Sequence, residues 1–140
     1  MKIILSILML ICLCGCDSES EDFIYQEYQL PAKAGALDLN IETDKAVLIN
    51  DKVEFQSVFS NFPNARAVDL KNYTLLLVKG VSTSGIREIK KTISKTDNEY
   101  IFTIYVERDS TAVMEPWYLA YIIPKTSDEN ITLSVTYEIL

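Results

Sequence analysis

The sequence predicts an α+β domain in which one helix packs on a mostly antiparallel β-sheet. Two observations lead to this prediction. Several β-prone segments follow one another in the second half of the chain, separated by connections of hairpin length. Before them, one segment carries apolar residues at helical spacing behind a good N-cap residue. Successive strands with short connections favour antiparallel pairing, and a preceding helix covers one face of their sheet.

The predicted helix begins after Asn50-Asp51, where a short polar side chain accepts hydrogen bonds from free backbone N–H groups. Its apolar residues fall mainly on one helical stripe, which we expect in the core rather than in a ligand site: Val53, Phe55, Val58, Phe59 and Phe62. Pro63 ends the helix, because proline lacks the N–H that a helix interior requires.

Two weaker strands are predicted before this helix. Residues 23–28 are β-prone and favour an edge strand, which Pro31 limits. Residues 45–49 form a short apolar run that also predicts a strand.

The later strands have clearer patterns. Residues 73–78 are continuously apolar, as in a central strand covered on both faces, and residues 80–85 predict a loop. Residues 86–93 favour a bulged strand, because Ile86, Ile89 and Ile93 do not share one alternation. Three further strands are predicted at residues 100–107, 117–123 and 131–139, and the last alternates strictly between apolar and polar side chains.

The N-terminus has the pattern of a secretory signal. Lys2 provides a positive charge, and an apolar run follows from residue 3 to residue 13, broken only by Ser6. The run is short for a membrane-spanning helix, which needs roughly 20 apolar residues. A plain signal peptide or a membrane anchor is the alternative to the more specific interpretation that follows.

Leu13-Cys14-Gly15-Cys16 resembles a bacterial lipobox. The resemblance implies that the Cys16 thiol takes a diacylglycerol, that the signal is cut before Cys16, and that its new amino group receives a palmitate-type chain. Thiolate chemistry explains why a cysteine is needed there. We therefore expect a signal peptide over residues 1–15, an acidic tether over residues 16–22 and a single α+β domain over residues 23–140.

Composition excludes several classes of function. Removing residues 1–15 takes away one positive charge, so the net charge moves from −7 to −8. An acidic protein is a poor partner for nucleic acid, whose phosphates need basic patches. The chain has no histidine, and its three cysteines all lie at or before Cys16. This excludes histidine-based nucleophile pairs and histidine-ligated metals, and we expect no cofactor.

We expect the protein in the cell envelope, where the lipid anchors it to a membrane. The outer membrane is the expected membrane. Acidic residues 17–22 follow the lipidated position. They resemble the surface-export signal of lipoproteins from gut-type Gram-negative anaerobes, although an ordinary hydrophilic spacer has the same composition.

The order of features from residue 45 to residue 136 resembles the small C-terminal domain of PrcB-like proteins. It comprises the helix, Val68-Asp69-Leu70, the apolar strand, a glycine-containing loop and Glu115-Pro116-Trp117-Tyr118. The family's loop has paired glycines and a tyrosine, where this chain has Ser84-Gly85-Ile86. The resemblance implies a non-catalytic domain that contacts or stabilises another exported protein.

Pro116, Trp117 and Tyr118 are candidates for contact with a partner protein or a sugar ring, although alternate residues of a strand more often fill the core. Asp109-Ser110-Thr111 resembles an O-glycosylation acceptor with Ser110 as the modified residue, and a simple turn is the alternative.

The other local patterns favour ordinary structure. Residues 82–85 favour a connection over an anion site, because a phosphate loop needs a lysine and another glycine spacing. Residues 97–99 and 128–130 favour turns over calcium sites, so no metal is assigned.

The sequence therefore favours a lipid-anchored envelope protein that binds or scaffolds a protein partner and is not an enzyme. A glycan-binding accessory protein is the first alternative. A hydrolase that uses two carboxylates is the second, and no pattern places such a pair at facing strand ends.

Overall fold

The structure is a computed structural model, and it describes residues 25–32, 34–96, 99–127 and 130–139. Over these residues the α+β prediction is confirmed, with a mostly antiparallel arrangement and a single α-helix. The elements are β1 (Gln26–Glu27), β2 (Val47–Ile49), α1 (Lys52–Val58), β3 (Tyr73–Ser82), β4 (Ile86–Thr96), β5 (Glu99–Arg108), β6 (Glu115–Pro124) and β7 (Ile131–Ile139). One 3₁₀ turn at Ala36–Asp38 lies between β1 and β2.

The strands form two sheets instead of one. The four-stranded sheet has the order β1-β6-β3-β2, and the three-stranded sheet has the order β4-β5-β7. All pairs are antiparallel except β5 and β7, which run parallel from Tyr100↔Ile131 to Arg108↔Ile139. After β5 the chain crosses to the four-stranded sheet, where it forms β6, and then returns to the three-stranded sheet as β7. Because of this crossover, β7 runs in the same direction as β5.

Two apolar cores lie on the two faces of the four-stranded sheet. One core fills the space between the sheets, where Phe102, Ile104 and Val106 of β5 meet Trp117 and Tyr121 of β6. The second core lies on the opposite face and is covered by α1 and the N-terminal segment, with buried residues Tyr28, Leu39, Ile49, Val58, Phe59, Leu75, Leu77 and Ala120. β3 is consequently covered on both faces, as its continuous apolar run predicted.

α1 is shorter than the predicted helix. Asp51 is the N-cap, and its side chain accepts a hydrogen bond of 2.8 Å from the Glu54 N–H. The Glu54 carboxylate in turn accepts one of 2.8 Å from the Asn50 N–H. The helix ends at Val58, and the chain then turns before Pro63. Val53, predicted in the core, is 76% exposed because it lies on the opposite side of the helix.

The bulge predicted in the fourth strand is confirmed by a register shift between Ile86 and Glu88. The extra residue allows Ile86, Ile89 and Ile93 all to pack against the core between the sheets.

The predicted loop at residues 80–85 is only partly correct. Gly80, Val81 and Ser82 continue β3 and pair with Trp117, Pro116 and Glu115 of β6. A glycine in a strand suggests a loop from sequence, but here it marks a close approach of side chains.

The predicted first strand is reduced to Gln26–Glu27, and residues 23 and 24 lie outside the described residues. Among the residues that the structure describes, no helix has the length and apolar character needed to cross a membrane.

Candidate functional site

An apolar depression lies beside α1, on the face of the four-stranded sheet that the helix covers. We call it the apolar groove. It has a volume of about 580 Å³ and is lined by Lys52, Phe55, Gln56, Phe59, Ser60, Phe62, Pro63, Ala65, Ala67, Val68 and Leu70. The helix forms one wall and the irregular segment before β3 forms the other. Lys52 is the single charged residue of the lining.

Aromatic rings from α1 and the following turn form the base and one side of the groove. The rings of Phe55 and Phe59 are in contact, with centroids 4.8 Å apart. Phe59 is buried, whereas Phe55 and Phe62 are only half-buried. The predicted core stripe is therefore divided: Val58 and Phe59 belong to the core, and Phe55 and Phe62 line a surface that a ligand can reach.

The outer wall of the groove is held at both ends by hydrogen bonds to backbone carbonyls. Near one end, the Tyr28 hydroxyl donates to the Arg66 carbonyl at 2.6 Å, and the Arg66 guanidinium lies 5.6 Å from the centre of the Tyr28 ring. Near the other, Lys125 Nζ donates to the Leu70 carbonyl at 2.5 Å and to the Asn50 carbonyl at 2.8 Å. Burial raises the pKa of Tyr28, and the phenol, which is protonated at neutral pH in any case, is a hydrogen-bond donor there.

The three residues Pro116, Trp117 and Tyr118 do not form one surface. Side chains alternate along β6, so Trp117 points between the sheets and is 5% exposed, whereas Tyr118 is 37% exposed on the other face. The Trp117 ring is thus a core residue, in agreement with the interpretation that the sequence favoured. The contact role of Pro116 and Tyr118 stays a prediction.

Trp117 belongs to a polar network that the sequence did not indicate. Its Nε1 donates to the Tyr137 hydroxyl at 3.2 Å, and that hydroxyl donates to Asp44 Oδ1 at 2.7 Å. Burial of the phenol, followed by its hydrogen bond to Asp44, raises the pKa of Tyr137 to about 12. Asp44 has a positive φ of 58°, and its N–H donates to the Lys79 carbonyl at 2.8 Å. The network attaches the segment before β2 to both sheets.

Ser110 lies in an exposed turn, as predicted. Asp109 Oδ1 accepts hydrogen bonds from the Thr111 N–H at 2.9 Å and from the Thr111 hydroxyl at 2.5 Å. The hydrogen bond from the Thr111 hydroxyl is the main cause that lowers the pKa of Asp109. Ser110 is thereby presented to solvent between two fixed neighbours, and its glycosylation stays a prediction.

The serine-rich turn after β3 is folded on itself. The Ser82 hydroxyl donates to the Ser84 carbonyl at 2.6 Å and accepts from the Ser84 N–H at 3.2 Å. The Ser84 N–H is thereby engaged, and the Gly85 N–H donates to the Thr111 hydroxyl at 3.2 Å, which favours the interpretation as a connection.

Over the described ranges, no three Asp, Glu, His or Cys side chains are grouped closely enough to hold a metal ion. Residues 97, 98, 128 and 129 of the two calcium candidates lie outside those ranges, as do Leu13, Cys14, Gly15, Cys16 and the acidic tether.

Comparisons of the chain with protein-family models, curated protein sequences and solved structures find no match. The PrcB-like resemblance therefore stays a prediction.

Proposed function

We propose that this chain is a lipid-anchored, non-catalytic protein of the bacterial cell envelope and that its domain binds an exported protein partner in the apolar groove. The lipobox-like stretch ending at Cys16 supports the anchor. The groove supports the binding function, and it is the single observation that carries the proposal. Apolar depressions of roughly 300–1,000 Å³ with few polar groups are typical of binding sites.

The chemistry of the groove favours a partner segment that presents apolar side chains next to a carboxylate. The half-buried rings of Phe55 and Phe62 gain from removal of water by apolar contacts. Lys52, at the start of α1, supplies the positive charge that a carboxylate of the partner would face. The protein as a whole has a net charge of −7 and repels acidic groups at long range, so Lys52 attracts a carboxylate only at short range.

Two substitutions on α1 test the groove with the same change of charge. Gln56 and Val53 are both exposed on α1, but only Gln56 lines the groove. In Gln56→Glu, a partner would have to bury the new carboxylate beside apolar side chains, which costs free energy. Val53→Glu places the same group on an exposed position of the same helix outside the groove lining and is the matched control.

The measurement is recovery of a stoichiometric partner with the full-length protein from detergent-solubilised envelopes. We expect the wild type and Val53→Glu to retain the partner and Gln56→Glu to lose it. Equal recovery by the two variants would show that the groove is not the contact surface. Absence of any stoichiometric partner on the wild type would refute the binding function.

The glycan-binding alternative rested on the aromatic residues near Trp117. Since the Trp117 ring is buried between the sheets, it cannot stack on a sugar in this fold. The geometry therefore favours the protein-binding function.

A further inference from the structure

The three-stranded sheet has two edges, and they differ in chemical character. β4 forms one edge and β7 the other. In the described part of the chain, the outer edge of β7 has no backbone hydrogen bond to another segment. β7 is nine residues long, so it presents a long row of backbone donors and acceptors that can pair with a further strand.

The β4 edge is protected against such pairing. It carries the cations Arg87, Lys90, Lys91 and Lys95. Lys91 Nζ lies 5.7 Å from the centre of the Tyr121 ring, and Lys95 Nζ lies 5.8 Å from that of Tyr100. Lysines at an edge, and above all lysines directed inward, discourage the approach of another strand.

The β7 edge lacks this protection. Its sequence is rich in β-branched residues, has no glycine or proline, and contains Glu138 as its single charged residue. Its inward-facing side chains Ile131, Leu133, Val135 and Tyr137 pack against the core but remain half-buried. A cavity of about 280 Å³ lined by Asp44, Lys45, Ala46, Ile131 and Leu133 lies beside these side chains. The half-buried side chains of β7 leave apolar surface for another strand to cover.

We infer that two copies of this chain pair through β7 in antiparallel orientation and join their three-stranded sheets into one sheet of six strands. A twofold axis brings the same strand of both copies together, which requires a self-complementary edge. With Val135 opposite Val135, Ser134 faces Thr136 and Thr132 faces Glu138 of the second copy. Polar residues meet polar residues on the outer face, and no like charges face one another.

The same operation on the other edge is unfavourable. Antiparallel pairing of two β4 strands centred on Lys91 would place Lys91 directly opposite Lys91. This contrast selects β7 as the contact between copies. The net charge of −7 opposes association of two copies, so screening by salt should strengthen the dimer.

The test introduces charges on the outer face of β7 in the full-length protein in detergent. Ser134→Lys with Thr136→Lys places lysine opposite lysine twice in the proposed dimer. Both native side chains are exposed, so the fold should tolerate the change. The matched control is Thr92→Lys with Ser94→Lys, which adds the same charges to the exposed outer face of β4.

Sedimentation equilibrium measures the dissociation constant of each protein. We expect a dimer for the wild type and the control, and about tenfold or greater weakening for the β7 double variant. Mixing it with Ser134→Glu, Thr136→Glu protein should restore a dimer, since opposite charges then face one another. A monomeric wild type, or equal dimer stability in the β7 variant and the control, would overturn the inference.

Discussion

Gly80 supports a sharp prediction about the core between the two sheets. It lies in β3 opposite Trp117, and its φ is not positive, so its backbone conformation suits any residue. The need for glycine is a matter of space. A Cβ at this position would lie 2.5 Å from Cε2 and Cζ2 of Trp117 and would also overlap the Tyr137 hydroxyl. Gly80→Ala therefore forces the Trp117–Tyr137 contact to open.

The expected cost follows from overpacking of a dense interior. Both neighbours are ring systems held by packing and by the hydrogen bond between Trp117 and Tyr137, so neither moves freely. Inserting a methyl group into such a site costs about 1–3 kcal/mol. For a domain of this size, we expect a decrease in Tm of about 4–12 °C. Urea unfolding followed by circular dichroism measures the free energy of unfolding.

Gly35→Ala is the matched control, because a Cβ at Gly35 meets only Asp38 Oδ2 at an ordinary 3.7 Å. It should leave stability unchanged or raise it by about 0.4–1 kcal/mol. Trp117→Phe provides a second check: it removes the atoms that overlap, so it should cost less in the Gly80→Ala background than in the wild type. Equal stability of Gly80→Ala and Gly35→Ala, or strict additivity with Trp117→Phe, would refute the steric argument.

Three further predictions test other parts of the molecule. Phe55→Ala should lower the free energy of unfolding by about 2 kcal/mol, as measured by urea denaturation. This is less than the same substitution costs at a fully buried phenylalanine, because the Phe55 ring is half-buried in the groove. An unchanged denaturation midpoint would contradict its packing on Phe59. Stability should fall as pH rises from about 10 to 12, because the folded state holds the Tyr137 proton more tightly than the unfolded chain does, and Tyr137→Phe should reduce this dependence. Cys16→Ser should give an unacylated, uncut precursor by mass spectrometry, since a hydroxyl cannot replace the thiolate; acylation of that variant would refute the assignment of Cys16.

The strands that the sequence predicted well are those whose burial is decided by local alternation. β5 and β7 each place alternate residues against the core, so their period of two is visible in the sequence. The bulge in β4 was also visible, as a break in the spacing of Ile86, Ile89 and Ile93.

The division into two sheets was not predictable from the same patterns. Alternation shows that a strand has a buried face but not which strand lies beside it, and the parallel pairing of β5 with β7 depends on where β6 goes. Gly80 was misassigned for a related reason. Glycine is needed at this position because the rings of Trp117 and Tyr137 leave no room for a Cβ. Both residues are distant from Gly80 in the sequence, so no local pattern reveals this requirement.

The apolar groove was missed because half of it has no regular pattern. The phenylalanine stripe of α1 was recognised, but the sequence cannot separate a ring covered by its own domain from one left at a surface. The opposite wall, from residue 62 to residue 70, is irregular chain fixed by Tyr28 and Lys125. Its position depends on hydrogen bonds to backbone carbonyls, which are present whatever side chains the segment carries.

The direction of β1 sets the height of the groove above the membrane, if the lipid at Cys16 is the anchor. β1 runs antiparallel to β6, with Gln26 beside Ile122, so the described chain begins at the end of the sheet where Pro124 lies. Asn50, just before α1, donates to the Thr126 carbonyl at this same end. The nine residues from 16 to 24 span at most about 30 Å. Under the proposed lipid anchor, a partner in the groove would therefore lie near the bilayer, and the exposed Val113 and Met114 would lie at the end of the sheet away from it.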